Sequence, residues 1–492
     1  MPVNQTLVQK LTRTKPVEAH AGDDHPSSGG LTRSLGLFSL TMIGVGATIG
    51  TGIFLTMAEA VPKAGPAVLL SFLMAAVTAG LTALCYAELA YRIPASGSSY
   101  SFAYATVGEF LAFVMAACLL LEYGLAASAT AIGWSDYLNN FLNNAFGWDI
   151  PVWLRTPLIA SSPDGAVWHT GHINLPPMIL CALCCILLAR GTKESALTNT
   201  IMVIIKLAIL IFFMAIAFTG FDSANFTPFF KAEGAPGLVG MAGVTAAAGT
   251  VFFSFIGLDT VATAGEEVKN PKRNVPLGIL GALLIVTVFY LLVAVAALGA
   301  QPAKMFEGQA AGLSVILQNV TGKAWPALVL SAGAVISVFS VTLVTIYGQT
   351  RILYAISRDG LVSKVFQRVN QRSHAPVINT IIVSIVVALL GGLVDSTFLW
   401  DMVSMGTLTA FIVVSIAVPV MRRKERKAGV YKKDGFRVPL GPYLIPGLSI
   451  FACLYIMVDL PTTTRVVFAV WMAAAVATYF LYGIRNSRLN KA

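Results

Sequence analysis

Long apolar runs recur along the whole chain, near residues 36–57, 64–91, 102–134, 174–190, 198–219, 238–262, 277–299, 325–350, 376–393, 398–420, 441–459 and 464–484. Each is close to the roughly 20 residues that a helix needs to cross the hydrocarbon core of a bilayer. In lipid a backbone must satisfy its own N–H and C=O groups, so runs of this kind fold as spanning helices. Composition agrees, with 56% hydrophobic and 11% charged residues and a mean hydropathy of +0.77. The expected fold class is therefore an all-α polytopic membrane protein with twelve transmembrane helices. No cleavable signal peptide is expected. Residues 1–35 are polar, with His20, Asp23, Asp24 and a Ser27-Ser-Gly-Gly30 run, and read as a cytoplasmic disordered tail.

The charge of +10 is not spread evenly. When loops are assigned alternately to two sides, 26 of the 33 Lys and Arg residues fall on the side that holds both termini. Six fall on the other side, and Lys206 stays inside a span. The positive-inside rule then puts both termini in the cytoplasm, with the cell inner membrane as the compartment. The basic loop Arg422-Arg-Lys-Glu-Arg-Lys427 follows from that topology rather than from nucleic-acid binding, and it is placed to contact anionic lipid head groups. Ile356-Ser-Arg-Asp-Gly360 reads as a helix ending on glycine at a cytoplasmic loop, with a gating role as the alternative. The loop from Asn139 to His172 holds no compact soluble domain. The six cysteines (Cys85, Cys118, Cys181, Cys184, Cys185 and Cys453) lie in apolar runs, and Cys181-Ala-Leu-Cys184-Cys185 has no His or acidic partner beside it, so they read as packing residues rather than metal ligands or disulfides.

The first span is not a simple helix. Leu40-Thr-Met-Ile-Gly-Val-Gly-Ala-Thr-Ile-Gly-Thr-Gly-Ile-Phe54 holds four glycines, each costing roughly 1 kcal/mol in a helix interior relative to alanine. Unwound backbone is tolerated at membrane depth only where protein or a water-filled cavity surrounds it. The amides of Ile49 to Gly52 would then open a second half-helix and present its positive end to an anion such as a carboxylate. Close helix packing on small residues is the alternative reading. A second interruption, Val251-Phe-Phe-Ser-Phe-Ile-Gly-Leu-Asp259, lies in the sixth run. Paired breaks at matching positions of two halves point to a transporter binding site. Five helices per half make the repeat inverted, with residues 36–219 and 238–420 as the two halves, 441–484 as two further helices, and 485–492 as a short cytoplasmic tail.

Two ionisable residues stand deep in the spans, where each charge costs about 2.5–3.5 kcal/mol on the lenient insertion scale. Glu122 lies thirteen residues beyond Glu109, about 20 Å by helical rise. It reads either as a protonated brace between helices or as a carboxylate that meets a cationic group or carries a proton. Lys206 lies eight residues into its span, about 12 Å by helical rise, too deep for its stem to reach head groups comfortably. It reads as an ammonium fixed on carbonyls of the broken first span, or as a proton carrier.

Ile43-Gly-Val-Gly-Ala-Thr-Ile-Gly-Thr-Gly-Ile-Phe54, Glu122-Tyr-Gly124, Phe253-Ser-Phe-Ile-Gly-Leu-Asp259, Gly265-Glu-Glu-Val-Lys-Asn-Pro271 and Tyr347-Gly-Gln-Thr-Arg-Ile-Leu-Tyr-Ala-Ile-Ser-Arg-Asp-Gly360 together resemble the cationic amino acid transporter family. That family belongs to the amino acid–polyamine–organocation superfamily, and the resemblance to its bacterial, twelve-helix members runs from about residue 34 to 485. It implies an inverted five-plus-five repeat with broken helices 1 and 6, and amino acid transport by alternating access. By the same resemblance, Gly50, Thr51 and Gly52 would offer amides to the substrate carboxylate. Carbonyls near Thr48, Phe253, Ser254 and Ile256 would meet its ammonium, with the Phe253 ring as gate. Glu122 matches the family's acidic position, Thr345 falls in the side-chain pocket, and Lys206 takes the place of the sodium site of sodium-coupled relatives. Thr48 and Ser254 depart from the aliphatic residues expected there, which leaves the side-chain preference open.

The expectation is a secondary transporter that imports L-amino acids with protons and leans toward cationic ones. No cofactor is implied and no Walker motif is present. Alternatives are an amino acid or polyamine exchanger, a small neutral (alanine-type) symporter, and a non-transporting amino acid sensor. An enzyme is not expected, and the oligomeric state is not legible.

Overall fold

The computed structural model describes residues 6–15, 35–93, 98–162, 165–190, 196–230, 240–257, 259–263, 268–309, 311–370, 375–429 and 436–490. Most of residues 1–35, the Gly265-Glu-Glu267 part of the third motif, Lys491 and Ala492 lie outside the described residues, as does the Thr51 side chain.

Among the described residues, eight helical segments are long and apolar enough to cross a membrane, and four shorter apolar helices accompany them. The chain is a helical, polytopic membrane protein. The elements that matter for function are α1 (Leu7–Thr12), α2 (Leu37–Thr48), α3 (Thr51–Ala64), α4 (Val68–Arg92), α5 (Ser98–Thr106) and α6 (Glu109–Phe146). They continue with α7 (Leu175–Ala189), α8 (Ala196–Ala217), α9 (Gly240–Phe252), α10 (Thr260–Thr263), α11 (Pro271–Ala300) and α12 (Ala324–Arg358). The last four are α13 (Val377–Leu393), α14 (Ser396–Lys427), α15 (Leu444–Val458) and α16 (Thr462–Thr478).

Both breaks expected from sequence are present. The first apolar run is two helices, α2 and α3, with Ile49 and Gly50 between them. The sixth is α9, then a 3-10 turn at Phe253–Phe255, then α10. One break was not expected. The run at 102–134 is split at Gly108, whose φ of +115° favours glycine, so α5 ends there and α6 starts at Glu109. α6 then runs 38 residues to Phe146. In the loop beyond it, Ile159–Ser162 and Gly165–Trp168 pair as a two-stranded antiparallel hairpin, registered Ile159 to Trp168.

The tail expected to be disordered is structured over residues 6–15. Thr6 caps α1 reciprocally with Gln9 in a capping box. Arg13 then grips Glu109 with Nε–Oε2 at 2.9 Å and Nη2–Oε1 at 2.7 Å. Glu109 is fully buried and also accepts from the hydroxyls of Tyr104, Tyr479 and Ser487. Lys15 reaches Asp359 at 3.2 Å, and Tyr100 donates to the same carboxylate at 2.7 Å. Asp359 caps α12, and Gly360 follows at φ +82°, which is the glycine-ended helix read from sequence. These contacts gather the N-terminal strap, the end of α12 and the C-terminal Ser487–Asn490 at one end of the bundle.

A second buried ion-pair network stands on α4 and α14. Arg422 donates to Glu88 through Nε at 2.7 Å and through Nη2, while Arg92 reaches Glu425 at the end of α14. Glu88 is fully buried, so its charge requires this pairing. The stretch Arg422–Lys427, read from sequence as a basic loop, is instead the helical end of α14 and partly an internal brace.

Candidate functional site

The two breaks touch. Gly52, in the first turn of α3, lies so close to the second break that a Cβ there would sit 2.4 Å from Ser254 Cα and 2.7 Å from its Oγ. At the second break Gly257 has a φ of +100°, and a Cβ there would sit 2.8 Å from the carbonyl oxygen of Ala47 in α2. Both positions admit only glycine. On the far side of the first break, a Cβ on Gly50 would meet Val341 of α12 at 2.6 Å. The glycines counted in the sequence are therefore used for close approach as well as for unwinding.

The polarity of the junction follows from helix ends. α2 and α9 bring their C-terminal, carbonyl-bearing ends to it, and α3 brings its N-terminus, where Gly50 supplies no side-chain cap. The positive end of one half-helix thus faces the negative ends of two others. Several polar groups hold this arrangement. Tyr290 of α11 places its hydroxyl 2.8 Å from the Thr48 carbonyl and 2.7 Å from the Ser254 carbonyl. Thr56 donates to Gly52 O at 2.7 Å and lies 3.1 Å from Ser254 Oγ. The Thr48 hydroxyl turns back on Gly44 O at 2.8 Å. Phe253 is buried and packs its ring 6.0 Å from Trp400 of α14, while its carbonyl accepts from Ile256 N at 3.2 Å.

Lys206 is 3% exposed and donates to Gly46 O at 3.2 Å, in the last turn of α2. A cation at a helix C-terminus is favourable, and this one reaches it from α8. The ammonium thus rests on one carbonyl of the broken span. Glu122 is 2% exposed, with Asp259 within electrostatic reach. The next residue along, Tyr123, donates to Asp259 at 3.2 Å, and Gly124 packs on Gln349 of α12. Thr345 is half-buried on α12, its hydroxyl donating to Val341 O at 2.8 Å, one turn from the valine that faces Gly50.

Sequence reasoning missed three contributors. Tyr290 carries no signal in an apolar run, although it spans both breaks. Asp259 and Tyr123 were noticed only as parts of the second break and of the Glu122-Tyr-Gly124 motif, yet together they join α10 to α6. No group of His, Cys, Asp or Glu suited to a metal is found among the described residues.

A bundle of apolar helices with two facing backbone breaks and buried charges around them is an arrangement that membrane transporters use. The chain matches the amino acid permease family over residues 35–484, and it belongs to that family. It is 39% identical to the branched-chain amino acid permease BcaP of Bacillus subtilis, over 94% of this chain and 95% of that one. It is also 39% identical to the methylthioribose transporter of the same organism, over 98% and 100% of the two chains. Human cationic amino acid transporter 4 is 34% identical over 85% of this chain and 63% of its own length.

Proposed function

We propose that this permease is a secondary active transporter that imports L-amino acids by alternating access, binding them at the junction of the two breaks. The observation that carries the reading is the polarity of that junction. An α-amino acid presents a carboxylate and an ammonium a few ångströms apart, and the junction sets one helix N-terminus against two helix C-termini. The amides of Gly50, Thr51 and Gly52 take the carboxylate. The carbonyls of Thr48, Phe253, Ser254 and Ile256 take the ammonium, sharing two of their oxygens with Tyr290. Phe253, backed by Trp400, closes over the ligand.

Twelve crossings, an inverted five-plus-five repeat and cytoplasmic termini complete the reading. The sorting of Lys and Arg supports that orientation, as does the gathering of the N-terminal strap, the end of α12 and Ser487–Asn490 at one end of the bundle. Lys206 couples transport to protons: it holds α2 through Gly46 O when charged and releases it when neutral. Glu122, with Asp259 behind it, favours a cationic side chain because a buried carboxylate needs a partner. A branched-chain substrate is the second reading. The wall that Val341, Phe253 and Trp400 give the site favours it, as does the name of the Bacillus subtilis permease.

The test is uptake of radiolabelled amino acids into proteoliposomes against a panel of competitors, with and without an inward proton gradient. Arginine, lysine or ornithine competing best, with uptake raised by the gradient, is the expected result. Competition by leucine, isoleucine and valine alone would move the assignment to the second reading. Indifference to the gradient with stimulation by internal substrate would make the protein an exchanger.

A further inference from the structure

The end of α14 carries a feature that the transport junction does not use. A cleft of about 150 Å³ lies between the last turns of α14 and the start of α15, lined by Pro419, Arg422, Arg423, Arg426, Pro442 and Tyr443. None of these lining residues is acidic. Among the described residues, Glu88 holds Arg422 and Glu425 holds Arg92. Arg422 is thereby fixed in place, with a further hydrogen bond to Val438 O at 3.3 Å, while Arg423 and Arg426 are exposed at the rim. Pro419 and Pro442 stiffen the walls. α15 starts at Leu444, and its N-cap residue Tyr443 offers no side-chain cap to its first amides, so the helix end adds to the positive potential.

Size and setting narrow the ligand. The cleft is well below the roughly 300–1,000 Å³ of a small-molecule site, which suits one phosphodiester rather than a whole metabolite. Leu440, Tyr443, Leu444 and Leu448 stand exposed beside it. Apolar and aromatic surface next to a ring of arginines is suited to the boundary between head groups and acyl chains.

We propose that this cleft binds the phosphate of an anionic phospholipid. Arginine matches phosphate through its planar fork, and the forks of Arg423 and Arg426 at the rim select an anionic head group over a zwitterionic one, while Arg422 keeps its fork on Glu88. The bound lipid bridges α14 to α15 at the level of the Glu88–Arg422 brace. That the lipid belongs to the cytoplasmic leaflet rests on the orientation proposed above; binding itself does not.

The experiment is native mass spectrometry of the full-length protein in detergent, titrated with phosphatidylglycerol or with phosphatidylcholine. The parent should retain one phosphatidylglycerol in preference to phosphatidylcholine. Arg423→Gln/Arg426→Gln should weaken that retention about 25-fold, at about fivefold for each arginine, and leave phosphatidylcholine unchanged. Arg423→Lys/Arg426→Lys, which keeps the charge and loses the fork, should fall between. Arg422 is left intact because it braces Glu88. Equal retention of phosphatidylglycerol by the glutamine variant, or equal retention of the two lipids by the parent, overturns the proposal. Complete displacement by millimolar inorganic phosphate overturns it too, by assigning the cleft to a free anion. The readout involves no transport, so it stands apart from the outcome of the uptake assays.

Discussion

Replacing Gly52 with alanine adds a single methyl group at the closest approach of the two breaks. That methyl would sit 2.4 Å from Ser254 Cα, whereas carbon atoms rest about 3.5–4.0 Å apart, so the two backbones must part by about 1 Å. Overpacking costs about 1–3 kcal/mol, and the upper end applies because the obstacle is backbone rather than a flexible side chain. At about 1.4 kcal/mol per tenfold, 3 kcal/mol raises the apparent Kd about a hundredfold. The assay is equilibrium binding of the radiolabelled substrate to detergent-purified protein with an unchanged size-exclusion profile. Gly36→Ala is the control, since a Cβ there meets nothing within 4 Å, and its Kd should match the parent. Ser254→Gly in the Gly52→Ala background removes the contacts at 2.7 Å but not the one to Cα, so it should restore binding only in part. A Kd within threefold of the parent for Gly52→Ala would refute the fixed contact between the breaks.

Three further outcomes follow from the same structure. Lys206→Ala removes the hydrogen bond to Gly46 O and should abolish the response of uptake to a pH gradient, and Lys206→Arg should not restore it because arginine stays charged; an unchanged pH profile in the alanine variant would make Lys206 structural. Glu122→Gln should weaken arginine, lysine or ornithine binding much more than alanine binding, while Thr345→Met should narrow the range toward small residues; equal losses for cationic and neutral substrates in Glu122→Gln would remove the cationic preference. Glu109→Ala leaves the Arg13 guanidinium without its carboxylate partner, and breaking such a buried pair costs about 3–5 kcal/mol, so thermal stability should fall well below that of a surface variant such as Arg465→Ala.

The features that sequence revealed share a physical basis. Four glycines in one apolar run, or Ser, Gly and Asp in another, are locally unfavourable in a membrane helix, so the conflict is visible without any tertiary information. The same holds for Glu122 and Lys206, whose charges stand out against hydrocarbon. What stayed hidden depends on partners far along the chain. The strap looked disordered because composition sums over single residues, whereas Arg13 is ordered by Glu109, 96 positions away, and Lys15 by Asp359, 344 away. Tyr290 looked like any aromatic in a span until the carbonyls of Thr48 and Ser254 were seen to converge on it. The break at Gly108 was hidden by hydropathy, which does not register a positive φ. Close packing explains that glycine too, since a Cβ there would lie 2.9 Å from Thr12 Cα of the strap.

The central claim is that the junction of the two breaks carries an amino acid across the membrane. Counterflow tests it most directly: proteoliposomes loaded with unlabelled L-amino acid are diluted into a trace of the labelled one, with no ion gradient imposed. The account predicts transient accumulation of label in parent vesicles and none in Gly52→Val vesicles, where a branched side chain fills the contact with Ser254. Binding of the labelled amino acid without counterflow by the parent would make the protein a sensor. Undiminished counterflow in the Gly52→Val protein would place the transport site elsewhere in the bundle.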